Sequence, residues 1–182
     1  MRAAFPFLPV SFSTEGLGGA ERRLRRGDAA LALCILLPSV PEDVAALPLL
    51  GVDLVPVVSP SHPLAALGRP AAPADLEEHV QLVLSDPAAP DGPSHGIIGT
   101  RTWRFVDLAR RLDFLLAGLG WCRMPEPLVA PHLADGRLVA LAIESDPARP
   151  TEPLTIYAAH MRSRVLGRAG SWLLQDLKAR LA

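Results

Sequence analysis

The sequence predicts an α/β fold, and three observations carry that expectation. The stretch from Thr102 to Gly136 reads strand, helix, strand, helix, an order that favours a parallel βαβ unit. The run from Ala29 to Leu37 is continuously apolar, as a strand buried in a parallel sheet requires. A chain of 182 residues, 49% of them hydrophobic, can furnish the core of one ordinary domain or of two small lobes.

The elements follow in order. Met1 to Pro9 opens without a cap or a polar lead-in. Val10 to Ser13 alternates apolar and polar residues, a period-two strand signal. Thr14, Glu15 and Gly16 form a turn, and Leu17 opens a short helix with Leu17, Ala20 and Leu24 on its apolar face. Arg22, Arg23, Arg25 and Arg26 decorate the rest, near the end where the helix dipole favours cations, and Gly27 is placed to stop the helix. After the Ala29–Leu37 strand, Pro38 to Pro48 reads as a proline-broken loop with at most one helical turn. Val52 to Val58 is the next strand, where Pro56 suggests an edge position or a strand leaving its sheet. Prolines crowd Ser59 to Pro73, the best candidate for a crossing between lobes. Ala74 to His79 is a short helix, Gln81 to Ser85 a strand, and Asp86 to Gly96 a surface loop.

In the stretch from Thr102, the residues Thr102, Trp103, Phe105 and Val106 suit a strand, and Asp107 stands where a helix N-cap belongs. Leu108, Leu112, Leu115 and Leu119 recur on one helix face, and Gly118 and Gly120 supply the stop. Trp121 to Met124 is a short apolar strand that Pro125 ends. The Asp135-Gly136 turn leads to a strand over Leu138–Ile143, a loop over Ser145–Pro153 and a strand over Leu154–His160. Leu166 to Leu181 is a final helix whose buried stripe is Gly170, Leu173, Leu174, Leu177 and Leu181. Trp121 and Trp172 are expected in the core.

Several function classes drop out. A net charge of -1 gives no basic field for nucleic acid, and the Arg22–Arg26 run reads as a solvated helix face. Cys34 and Cys122 read as reduced, buried thiols. His62, His79, His95, His132 and His160 show no metal-ligand spacing, and there is no Gly-x-Ser-x-Gly elbow. No metal, cofactor or catalytic residue is expected, so the chain does not read as an enzyme. No apolar run approaches a membrane span and no secretory signal is visible, which points to a soluble cytoplasmic protein without a membrane partner.

Four stretches carry a resemblance: Val10–Leu33 (VSFSTEGLGGAERRLRRGDAALAL), Val55–Ala65 (VPVVSPSHPLA), Thr102–Val129 (TWRFVDLARRLDFLLAGLGWCRMPEPLV) and Ala134–Leu141 (ADGRLVAL). In order and spacing they resemble the C-terminal effector-binding domain of LysR-type transcriptional regulators. The resemblance implies a two-lobed, periplasmic-binding-protein-like (type II) fold. The first lobe would be residues 1–58 and 144–182, the second 59–143, with a small effector in the cleft between them. It further implies a homodimer, and a carboxylate or aromatic metabolite as the effector. The family's winged helix-turn-helix, linker helix, and first strand and helix of lobe one have no counterpart here, and Met1–Pro9 resembles the end of that first helix. An incomplete first lobe and no direct DNA binding by this chain are therefore expected. The rival readings are a non-functional truncated remnant and a stand-alone small-molecule binding protein.

The candidate effector contacts each have two readings. Thr14, Gly16 and Leu17 belong to a turn before a helix, whose free N–H groups either hold an anionic ligand or form a capped turn without one. Ser85 and Asp86 end a strand, the usual place for ligand contacts in open α/β sheets, or they supply polarity to a loop. Asp107 is a helix cap or a ligand contact. Trp103, Met124 and Pro125 line the cleft or pack the core. Of Arg110 and Arg111, at most one can face the cleft and attract a carboxylate.

Overall fold

A computed structural model describes residues 1–86, 88, 96–146 and 152–181. In chain order the elements are α1 (Gly19–Arg26), β1 (Ala32–Cys34), β2 (Val44–Val52), β3 (Leu54–Val58), α2 (Pro73–Glu77), β4 (Gln81–Leu84) and β5 (Thr102–Phe105). Then come α3 (Leu108–Leu116), β6 (Trp121–Pro125), α4 (Glu126–Ala134), β7 (Val139–Ala140), β8 (Leu154–Met161) and α5 (Arg168–Leu181). The chain forms two compact units, Met1–Gly51 with Thr155–Ala182, and Val52–Leu154. The expected lobe boundaries were 58/59 and 143/144. In the structure β3 goes with the second unit because it pairs with β6 and β7.

The first unit holds a three-stranded sheet in the order β1-β8-β2. Leu24 of α1 is wholly buried with Leu36, Val44, Ala159 and Met161. Gly27 ends α1 as expected: at φ 84° its N–H reaches the carbonyls of Arg23 and Leu24. Other expectations fail here. Val10–Ser13 is not a strand, and Phe12 is 90% exposed. Alternation makes a strand only where a partner takes up its backbone groups, and Val10–Ser13 pairs with neither edge of this sheet. The Ala29–Leu37 run yields only the three residues of β1, an antiparallel edge strand against β8 rather than a buried parallel one. Leu33, opposite Ala158, is left exposed. Within the expected Pro38–Pro48 loop, β2 begins at Val44 and runs nine residues. It tolerates Pro48 because it is an edge strand with one open flank.

The same unit corrects two further readings. The arginine run is not merely solvated: Arg25 Nε lies 2.9 Å from Asp43 Oδ2, and Arg23 Nη1 lies 2.8 Å from Glu15 Oε1. The stripe of α5 is half-buried, with Leu181 exposed. Trp172 is half-buried too, its ring edge-on to Phe5 at 5.8 Å, rather than in the core.

The second unit has a five-stranded sheet in the order β5-β4-β6-β3-β7. β4 runs parallel to both β5 and β6, so β5–α3–β6 is the expected parallel crossover. β3 is antiparallel to β6 and β7, hence not an edge strand. Pro56 is accommodated because its backbone faces the short β7, where its carbonyl accepts from Leu141 N at 2.9 Å. The expected Leu138–Ile143 strand shrinks to the two residues of β7, followed by an isolated bridge from Ile143 to Ala71. The Ser59–Pro73 stretch lies within this unit and contains a 3₁₀ turn, Pro63–Ala66.

Alternation along β3 and β6 covers both sheet faces. Val57, Leu82, Leu115, Cys122, Met124, Val129 and Leu138 pack on one face. Val58, Leu64, Ala71, Leu76 and Trp121 pack on the other, with Trp121 in the core as expected. Asp107 caps α3 as expected, its Oδ1 accepting from Arg110 N at 2.8 Å. Leu119 falls beyond that helix and is exposed. Gly120 must be glycine, since a Cβ there would sit 2.5 Å from the carbonyl of Val80. Most of the expected loops at Asp86–Gly96 and Ser145–Pro153, with His95, lie outside the described residues.

Candidate functional site

Three parallel strands of the second unit bring their carboxyl ends to one edge, where open α/β sheets hold their ligands. The end of β4 presents Ser85 and Asp86. The Ser85 N–H donates to Phe105 O at 2.8 Å, and Asp86 Oδ1 accepts from Ala88 N at 2.9 Å. The end of β5 delivers Asp107, whose carboxylate is occupied at the start of α3. The end of β6 delivers Met124, wholly buried in the core, and the half-buried Pro125, which leads into α4. Trp103 sits in mid-strand, 43% exposed, edge-on to Phe114 of α3 at 6.1 Å.

The first-unit candidates stand elsewhere. Thr14 is exposed, while Gly16 and Leu17 are half-buried in the turn before α1. A carboxylate of the chain itself already lies near this helix start. A Cβ on Gly19 would be 3.2 Å from Glu15 Oε2. The Arg23 guanidinium holds the Glu15 carboxyl below its ordinary range. No side chain caps this helix start, where Gly18 stands at the N-cap position.

Arg110 and Arg111 separate as their helix positions require. Arg110 is exposed and pairs with Asp113 at 3.1 Å. Arg111 turns inward and is 7% exposed. Its Nη2 lies 2.8 Å from Arg123 O and 3.1 Å from Met124 Sδ, and its Nε is buried without an acceptor. Burial pushes this guanidinium below its ordinary pKa.

Sequence reasoning missed two features. Arg123 and Asp146 form a buried, bidentate ion pair. The available signal was an arginine inside the apolar strand WCRMP, since a buried charge demands a partner. His62 and His79 form the second, their rings edge-on at 4.8 Å. His62 is buried, and its Nδ1 accepts from Leu64 N at 3.2 Å, capping the 3₁₀ turn. Cys34 and Cys122 are both free thiols; Cys122 is buried, whereas Cys34 is only half-buried. Desolvation pushes each up to about 11, so neither is a nucleophile at neutral pH. Among the described residues no group of three or more His, Cys, Asp or Glu could hold a metal ion. No helix among them is long and apolar enough to cross a membrane.

The LysR substrate binding domain family matches residues 1–182. The chain belongs to this family. Its fold is that of LysR regulatory domains, periplasmic-binding-protein-like of type II, as the resemblance implied. The LysR match extends to the transcriptional activator AllS of Klebsiella pneumoniae, 29% identical over 153 residues, covering 82% of this chain and 55% of AllS. The chain thus spans about half the length of the curated relatives it matches. Two similar solved domains hold ligands. The Synechocystis CcmR regulatory domain, in complex with 2-PG, superposes with a TM-score of 0.69 at 16% identity, covering 99% of this chain and 86% of that one. The effector-binding domain of QuiR, in complex with shikimate, gives a TM-score of 0.61 at 20% identity, covering 88% and 75%. At such identities the likeness speaks for the fold alone.

Proposed function

We propose that this LysR-family chain is the effector-sensing domain of a transcriptional regulator, binding a small metabolite to control transcription. The observation that carries the reading is the shared carboxyl edge of β4, β5 and β6. Ser85, Asp86, Asp107 and Pro125 are the contacts proposed there, with Trp103 beside them and Met124 buried beneath. Thr14, Gly16 and Leu17 are the contacts proposed on the first unit. The ligand-bound relatives, with 2-PG and shikimate, support a small polar metabolite as the partner. The family supports a cytoplasmic, dimeric regulator without enzymatic activity. This chain is proposed to make no DNA contact of its own. Among the described residues every two consecutive α-helices are separated by at least one strand, so no helix-turn-helix is present.

A ligand that binds one conformation better shifts the population towards it, and by mass action it raises stability. A screen of aliphatic and aromatic acids should therefore raise the melting temperature, with about 2.7 kcal/mol of stabilisation at a hundredfold excess over Kd. No duplex DNA should shift in a gel at physiological salt. Specific nanomolar DNA binding by this chain would overturn the reading.

A further inference from the structure

We propose that Arg123, Asp146 and Ser145 form a two-state latch near the point from which the chain leaves the second unit. Two unfavourable features meet there. The first is a desolvated ion pair. Arg123 Nη1 lies 3.0 Å from Asp146 Oδ2 and Nη2 reaches Oδ1, with the two side chains 6% and 11% exposed. The host strand, WCRMP, is otherwise apolar, and Trp121, Cys122 and Met124 are buried in it. Arg123 Nε is enclosed without an acceptor among the described residues. A buried pair offsets its desolvation cost only when its remaining donors are satisfied, and apolar replacement is often neutral or stabilising. Stability alone therefore does not account for this pair. The second feature is backbone strain. Ser145 has φ 45°, the one non-glycine residue with positive φ among the described residues. A side chain with a Cβ is disfavoured there.

The two features are neighbours in the chain, and each accounts for the other. Strained residues persist where surrounding contacts over-determine them, and they gather at clamps and switches. Upstream the chain is held to Ala71. The Ala71 N–H donates to Ala142 O at 2.7 Å, the Glu144 N–H donates to Ala71 O at 2.9 Å, and Ile143 bridges to Ala71. Downstream the Asp146 carboxylate is held by Arg123. Ser145 is the single residue between these two anchors, so it takes up the strain of joining them. Breaking the ion pair frees Ser145 to relax to negative φ, and relaxing Ser145 carries Asp146 away from Arg123. The element thus has a closed state, with the pair buried and Ser145 strained, and an open state with neither. The second unit ends at Leu154, where β8 begins. Closed, the latch holds the chain as far as Asp146; open, the hold ends at Glu144. Its state sets where the passage towards β8 begins.

The test is exchange of the Arg123 Nε–H proton with water, followed by ¹⁵N NMR in the whole chain. The control is the Trp121 backbone N–H, which donates to Val80 O at 3.0 Å in the core. Each rate is expressed relative to its unfolded value. In the parent, Arg123 should exchange about tenfold or more faster than Trp121, because the latch opens while the fold stays closed. Ser145→Gly, which accepts positive φ, should slow Arg123 exchange about threefold. Ser145→Val, β-branched and worse at that φ, should speed it about tenfold. Trp121 should not move in either. Asp146→Asn, which keeps the shape and loses the charge, should speed Arg123 exchange about tenfold or more with Trp121 again fixed. Arg123 exchange unmoved by both Ser145 variants separates the strain from the pair and overturns the latch. So does Arg123 exchanging as slowly as Trp121 in the parent. Arg123 and Trp121 shifting in step across the variants makes the pair a support of the whole unit, and the latch falls. Should Asp146→Asn fail to fold, the two Ser145 variants decide alone.

Discussion

The two units of this chain are stabilised in different ways. The second has a five-stranded sheet with apolar clusters on both faces, and its helices α2, α3 and α4 each bury at least one residue fully. The first has three strands and, among the described residues, a single apolar cluster, while Phe7, Phe12 and Val165 are at least 90% exposed. Its tighter ties are polar. Arg25 pairs with Asp43, and Arg164 donates to the carbonyls of Leu24 and Arg25 at the end of α1. Cations there satisfy carbonyls that the helix itself leaves unpaired. The contrast teaches that similar hydrophobic runs have different fates, depending on whether a second layer covers them.

The largest expected effect tests that contrast directly. Trp121→Ala removes a fully buried side chain from the second unit and should cost about 4 kcal/mol in urea unfolding. Leu24→Ala, in the first unit's single cluster, should cost about 2 to 3 kcal/mol, because it removes a smaller side chain and a three-stranded layer collapses around the gap more readily. Trp121→Phe should recover most of the loss, since the indole Nε1 is buried without a partner and the phenyl ring removes that unpaired donor. A larger loss at Leu24 than at Trp121 would reverse the ranking of the two cores.

The contrast also explains what could be read from residues alone. The β5–α3–β6 unit was legible because its signals are local: a β-branched and aromatic strand, an aspartate cap, a helical leucine spacing and two glycines after the helix. The edge at which Ser85, Asp86, Asp107 and Pro125 gather followed from parallel strands, which that order favoured. β2 was illegible because Pro48 marks a loop unless one knows that the strand has an open flank, and that is a fact about the sheet. The same holds for Leu33 and Phe12, whose apolarity says nothing about what covers them. The Arg123–Asp146 pair joins residues 23 apart in sequence, so only its need for a partner was visible. Arg111 and Arg110 were told apart by helix geometry no better than one in two.

A smaller effect sharpens the comparison at the helix starts. α3 has a side-chain cap, Asp107, whereas α1 has only Gly18 and no capping side chain. Asp107→Ala should cost about 1 kcal/mol, and Asp107→Asn should restore most of it, because asparagine keeps the acceptor. Equilibrium unfolding of the three proteins checks the order. If Asp107→Ala is neutral, the cap contributes nothing and the carboxylate is left for the ligand alone.

The smallest effect is a pH dependence located in the second unit. Burial, and then the charge of His79, push His62 below its ordinary pKa of 6.5. The geometry agrees, because the Nδ1 lone pair that accepts from Leu64 N is lost on protonation. The folded state therefore binds this proton more weakly than the unfolded chain does. The stabilisation is complete above 6.5 and is lost as pH falls from there through the lower folded value. The carboxyl of Asp75, which also feels His79, is held below its ordinary range by Arg69 and titrates at lower pH, outside this window. Urea midpoints should fall between about pH 7.5 and about pH 5.5. His62→Asn keeps an acceptor for Leu64 N at the same place and cannot titrate, so its midpoint should stay flat over that range and match the parent at the upper end. A slope undiminished in His62→Asn would assign the titration to another group and leave His62 as a cap only.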